Sequence, residues 1–275
     1  MKKKTLLTVA ALVLLVGSLY AHDMFLKLRT YFLVPHTETS IALYNGTFDK
    51  SENVITRDRM QDVSIVGPGD EVVHPDTSQW REKDNTTWLD FKTGEAGTYV
   101  IGVSTRSKMI DLSSEDFNAY LEHDGVQDVL DARKREGRLE EDAREQYSKH
   151  IKAIYQVGDK RSDAYQHRLG YPLEIVPLKN PYEIGVFDTL EVLVLRDGQP
   201  VANQLVYASY AGYHGHAEGG GHVEAVQTRT DDEGVARIEI KAAGQWYVRL
   251  IHMVESEEKD IDYESNWATL TFEVK

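Results

Sequence analysis

Apolar residues recur with two different periods along this chain, and the change of period predicts its layout. Residues 24–105 read as strands: 24–32 and 40–43 have strand composition, and Thr87-Trp88-Leu89-Asp90-Phe91 alternates. Gly97-Thr98-Tyr99-Val100-Ile101-Gly102-Val103 is a β-branched and aromatic run after a glycine, and Ile65-Val66-Gly67-Pro68-Gly69-Asp70 carries a turn. The pattern changes at Ser113-Ser114-Glu115-Asp116, which resembles a helix N-terminus with acids in the first turn. Phe117, Tyr120 and Leu121 then fall at helical spacing, residues 126–135 continue as helix beyond Gly125, and a third helix is expected over 140–155, with Tyr147, Ile151 and Ile154 on one stripe. Short alternating strands return from Leu173, over 190–195, 204–210, 223–230, 235–240, 245–253 and 267–274, with turn signals such as Asp197-Gly198 between them. The expected fold is mainly β: an N-terminal β domain over 22–112, a helical insertion over 113–168 and a C-terminal immunoglobulin-like sandwich over 169–275, two β-sandwich domains in all.

Residues 1–21 stand apart. Three lysines at 2–4 precede an apolar run from Leu6 to Leu19 that ends in Ala21, the pattern of a secretory signal peptide. The run is short for a membrane span, which needs about 20 apolar residues; an uncleaved signal anchor is the alternative, and a periplasmic or secreted location is expected, with a mature chain that does not span the membrane. There is no cysteine, which excludes disulfides, zinc–thiolate sites and a thioether lipid anchor. The net charge is −14, and loss of the three leader lysines takes it to −17. Such acidity argues against nucleic acid or an anionic membrane as partner and serves mainly solubility.

Cleavage after Ala21 makes His22 the first residue, with an α-amine beside its imidazole: a natural chelate for a transition metal. Asp23 can orient the ring or add an oxygen. The alternative is a frayed terminus with an idle side chain, but Met24-Phe25-Leu26 reads as structured. More imidazoles follow in Tyr213-His214-Gly215-His216-Ala217-Glu218-Gly219-Gly220-Gly221-His222. His214 and His216 project to one side of an extended chain, and the glycines let His222 fold back to join them; the bland reading is a solvated loop. His252 ends a strand. A lone histidine there is commonly a hydrogen-bonded core residue, but the sandwich rim makes it a candidate. The metal candidates are therefore His22, His214, His216, His222 and His252. Imidazole donors suit nickel, cobalt, copper or zinc. Metal-independent catalysis finds no support: there is no Gly-x-Ser-x-Gly elbow, cysteine nucleophile or phosphate loop.

Several segments in order resemble one bacterial periplasmic family, domain of unknown function 4198: Ala21-His22-Asp23-Met24-Phe25-Leu26, the 145–152 stretch, Leu169-Gly170-Tyr171-Pro172, Asp197-Gly198-Gln199-Pro200-Val201, Thr230-Asp231-Asp232-Glu233-Gly234 and Gly244-Gln245-Trp246-Tyr247. That family is often labelled a nickel- or cobalt-uptake component. The resemblance implies an exported β-sandwich protein that handles a divalent transition metal for a membrane uptake transporter, with His22 and His252 as the matching positions. The His214–His222 loop looks more individual to this chain. Two rivals come from other classes. One is a copper-dependent oxidative enzyme built on the terminal histidine chelate; the other is a metal-free module that binds glycan or protein.

Overall fold

The strand Ala143–Val157 decides the architecture. Its odd and even positions face opposite sides, as a pleated strand requires. Ile151 and Tyr155 enter one core, while Ile154 enters another. This is the segment the apolar stripe predicted as a third helix. Tyr147, Ile151 and Ile154 do satisfy a helical period, but here Ile151 and Ile154 serve two different layers. A strand buried on both faces loses the alternation that identifies it, so periodicity alone cannot separate it from a helix.

The computed structural model describes residues 22–213, 215–216 and 222–275, with only the backbone of His216, His222 and Val223. The expected leader 1–21 and His214 lie outside the described residues. The fold is mainly β. The 143–157 strand pairs antiparallel with Gly97–Thr105 and parallel with Tyr263–Val274, from Glu145↔Tyr263 to Ala153↔Thr271. These pairings fuse N-terminal and C-terminal strands into one long central sheet, which continues outward through Met60–Val66 on one side and through Gly244–Glu255 and Leu205–Tyr210 on the other.

Two smaller sheets cover opposite faces of the central one. The sheet of Asp23–Lys27, Glu38–Gly46, Thr86–Lys92 and Trp80–Lys83 buries Leu26, Ile41 and Leu89 against Val63, Ile101 and Ile151. The sheet containing Leu173–Pro177, Thr189–Arg196 and Val235–Glu239 buries Ile175, Val192 and Ile238 against Trp246, Leu250 and Phe272. Each pair of layers is a β-sandwich, and the central sheet belongs to both.

Two helices are inserted ahead of the 143–157 strand. Ser114–His123 is capped by the Ser113 hydroxyl, which accepts the Asp116 N–H at 3.1 Å. Gln127–Glu136 ends at Gly137, whose left-handed φ of 72° a side chain would strain. Phe117, Tyr120 and Leu121 pack on Ile251, Tyr263 and Trp267, on the same face of the central sheet as the N-terminal layer. Among the described residues no helix is long and apolar enough to cross a membrane.

One buried ion pair fastens the C-terminal layer. Lys152 Nζ donates to Glu174 Oε2 at 3.0 Å, with both side chains almost wholly buried. Glu174 also accepts the Leu169 and Gly170 N–H groups at 2.9 Å each. Replacing Glu174 by Leu strands an ammonium and these donors inside the protein. We expect Glu174→Leu to lower unfolding stability in urea by about 3–5 kcal/mol. A loss below about 1 kcal/mol would show that the pair is dispensable.

Candidate functional site

The N-terminal strand Asp23–Lys27 lies across the last strand of the chain. Thr269 and Thr271 hydroxyls donate to the Met24 and Leu26 carbonyls at 2.7 and 2.6 Å. Phe25 packs its ring against Phe48 and Tyr247, with centroids 5.3 and 5.2 Å away. Lys149 Nζ donates to the His22 carbonyl. His22 is therefore held at the backbone, and its ring is held too: Nε2 lies 2.5 Å from Glu52 Oε2. Glu52 is itself fixed, its N–H donating to the Asn45 carbonyl at 2.9 Å.

Arg249 gathers the surrounding segments. It projects from Gly244–Glu255 on the side that faces the N-terminal strand. Its Nε and Nη2 donate to Glu224 Oε1 at 2.8 and 2.5 Å, Nη1 donates to the Asp124 carbonyl at 3.0 Å, and Nε lies 3.6 Å from Asp23 Oδ2. Asp23 follows His22, Asp124 follows His123, and Glu224 is two residues beyond His222. One guanidinium thus ties down three histidine-bearing segments. His123 Nδ1 and Asp124 Oδ1 are 3.0 Å apart, and this hydrogen bond raises the His123 pKa. The second oxygen, Asp124 Oδ2, is buried with no hydrogen-bond partner among the described residues. Burial raises the Asp23 pKa against the opposing pull of Arg249.

Beside this cluster a cavity of about 310 Å³ opens between the N-terminal layer and the helices. Its lining includes His22, Arg59, Lys108, Tyr147, Lys149 and Trp267. Burial lowers the Lys149 pKa to about 8 and raises that of Glu145, also in the lining, to about 7. Glu145 accepts hydrogen bonds from Ser265 and from the Tyr120 hydroxyl, the latter at 3.2 Å.

The sequence candidates divide. His216 and His222 are backbone partners across the short hairpin Gly215–His216/His222–Val223, which leads directly into Glu224. His252 is not brought to His22. It sits at an even position of its strand, on the face opposite Arg249, with Nδ1 2.9 Å from Gln204 Oε1. Burial, then Arg196, lowers its pKa, so it behaves as the hydrogen-bonded structural histidine of the bland reading. Among the described residues no three His, Asp or Glu side chains form a ready ion cage. The described side chains offer an anchored imidazole at His22 and, at Asp124, a buried carboxylate oxygen with no hydrogen-bond partner among the described residues. Sequence reasoning missed Glu52, Asp124, Glu224 and Arg249, because no local pattern distinguishes them among so many charges.

A protein-family model described as Domain of unknown function (DUF4198) matches residues 19–254. No curated protein matches the chain. Among solved structures, a Salmonella alpha-2-macroglobulin mutant is similar over 91% of this chain at 10% identity, with a TM-score of 0.26; the chain spans only 15% of that protein's length. The D0-D1 domain of intimin is similar at 11% identity, over 91% of this chain and 97% of its own, with a TM-score of 0.21. A chimeric titin Z1Z2 tandem is similar at 8% identity, over 90% and 97%, with the same score.

Glu145 provides a test of the site's electrostatics. Its folded pKa of about 7 exceeds the ordinary 4.5, so the protonated form favours folding. That contribution is complete below about pH 4.5 and is lost as pH rises through 7. Against a Glu145→Gln variant, the unaltered protein should lose up to about 3 kcal/mol of stability between pH 4.5 and 8, measured by urea denaturation across pH. Parallel pH profiles for the two proteins would refute the burial argument.

Proposed function

The chain belongs to the DUF4198 family, and on that footing we propose that it is an exported protein that captures a divalent transition-metal ion at the His22 terminus and presents it to a membrane uptake system. Nickel and cobalt are the leading ions. The observation that carries this reading is the Arg249 hub, which draws the His22 strand, the His123–Asp124 corner and the root of the His216/His222 hairpin to one place.

Glu52 gives the proposal its chemistry. Once the leader is removed, the α-amine and ring Nδ1 of His22 can close a chelate on one ion. The other ring nitrogen, Nε2, then donates to Glu52, which fixes the tautomer and strengthens the imidazole as a donor. Asp124 Oδ2 is a further donor of the kind such a site uses. The hairpin histidines, His216 and His222, with His214 just before them, supply the remaining imidazoles. Since an amine and imidazoles bind metal only when deprotonated, affinity falls in acid. His252 is left out, because the sheet lies between it and His22.

Metal titration calorimetry on protein whose N-terminus is verified by mass spectrometry tests the assignment. His22→Ala and the double variant His216→Ala/His222→Ala should each weaken nickel or cobalt binding at least tenfold, or about 1.4 kcal/mol. Glu52→Gln should cost about 10–100-fold, and His252→Ala should cost nothing. Unchanged affinity in His22→Ala would end the proposal. Ascorbate-dependent peroxide production by the copper-loaded protein would move the site from transport to oxidative chemistry.

A further inference from the structure

The cavity beside His22 has properties that metal capture does not require. It is cationic within an acidic protein. Arg59, Lys108 and Lys149 line it, and Glu145 is the only acid among its described lining residues. Burial raises the pKa of that carboxyl to about 7, so it carries little charge in mildly acidic solution. Asp23 and Asp124 also act on Lys149 but do not line the space.

The cations are displayed on aromatic rings rather than neutralised by carboxylates. Lys149 Nζ lies 4.2 Å from the Trp267 ring centroid, and the Arg59 guanidinium lies 5.5 Å from that of Tyr147. Neither forms an ion pair among the described residues. Arg59 Nη1 is buried without a hydrogen-bond partner among them. A buried guanidinium nitrogen left unpaired is costly, and an incoming oxygen acceptor would remove that cost. The other walls include Met24, Ile110 and Leu112. Apolar walls, aromatic faces and a few converging polar groups are the general make-up of a small-molecule site. A volume of about 310 Å³ is of the size that holds a small molecule.

We propose that this cavity binds a small organic carboxylate, its acid group on Arg59 and Lys108 or Lys149 and its apolar body against Trp267, Tyr147 and the aliphatic wall. The apolar lining selects an organic acid over an inorganic oxyanion, which would leave those walls unfilled. The inference does not rest on the metal reading, because every group it uses belongs to the protein itself.

The test uses metal-free protein in chelator, with benzoate, phenylpropionate, citrate and inorganic phosphate as probes. Calorimetry and tryptophan fluorescence report binding. An aromatic carboxylate should bind saturably at millimolar concentration or below, with a fluorescence change that disappears in Trp267→Phe. Arg59→Gln should weaken binding at least tenfold without lowering the thermal midpoint, and Arg59→Lys should restore part of it. Lys108→Gln, at a more exposed position, should cost less. Absence of saturable carboxylate binding would overturn the proposal, as would undiminished binding in Arg59→Gln. Phosphate binding as tightly as the aromatic acids would also overturn it, by revealing unspecific anion attraction. None of these results bears on nickel or cobalt affinity, so the two readings stand or fall separately.

Discussion

The parallel pairing of Ala143–Val157 with Tyr263–Val274 is the constraint on which the molecule depends. Parallel neighbours bury both faces, and here both faces are covered, one by the N-terminal layer and the helices, the other by the C-terminal layer. Neither sandwich has a complete core without the shared sheet. The candidate site lies on the seam this creates. Its floor comes from the 143–157 and 263–274 strands, its rim from the first strand, and its far wall from the region joining the helices to the sheet.

Burial of charge gives the seam its character. Exposed ion pairs contribute about 0–1 kcal/mol, and most pairs on this surface are of that kind. Around Arg249 the side chains are removed from water, and the cost of desolvation is met by several partners at once: Glu224, Asp23 and the Asp124 carbonyl. A single exposed pair would not dictate how three segments meet. A buried guanidinium does, because losing any one acceptor leaves a charge poorly solvated. Desolvation also explains the opposite shifts of Lys149 and Glu145, since it disfavours the charged form of each.

The β character, the two helices and most turns were legible in the sequence, because each rests on a local signal. Asp197 and Gly198 both have positive φ, as a tight hairpin needs; Ser113 caps its helix through the Asp116 N–H. The 143–157 strand was not legible, because its two-sided burial mimics a helical stripe. Its buried Lys149, His150 and Lys152 also look like surface residues until Trp267, Asn266 and Glu174 arrive from distant parts of the chain. For the site, the structured terminus at His22 could be read from Met24-Phe25-Leu26. The separation of His22 from His252 could not. It depends on which side of one strand each residue meets, and a shift of one position reverses that.

The hydroxyls that clamp Asp23–Lys27 belong to Tyr263–Val274, so segments 245 positions apart support one another. Residues 23–27 pair along one edge with Glu38–Gly46, but their seat on the central sheet is missing until Tyr263–Val274 is in place. The imidazole at position 22 can meet Glu52 within the N-terminal layer, but the strand that carries it is clamped only once residues 269–271 are present. A chain cut short anywhere before Thr269 would carry every histidine considered above and still lack the clamp that holds the first of them in place.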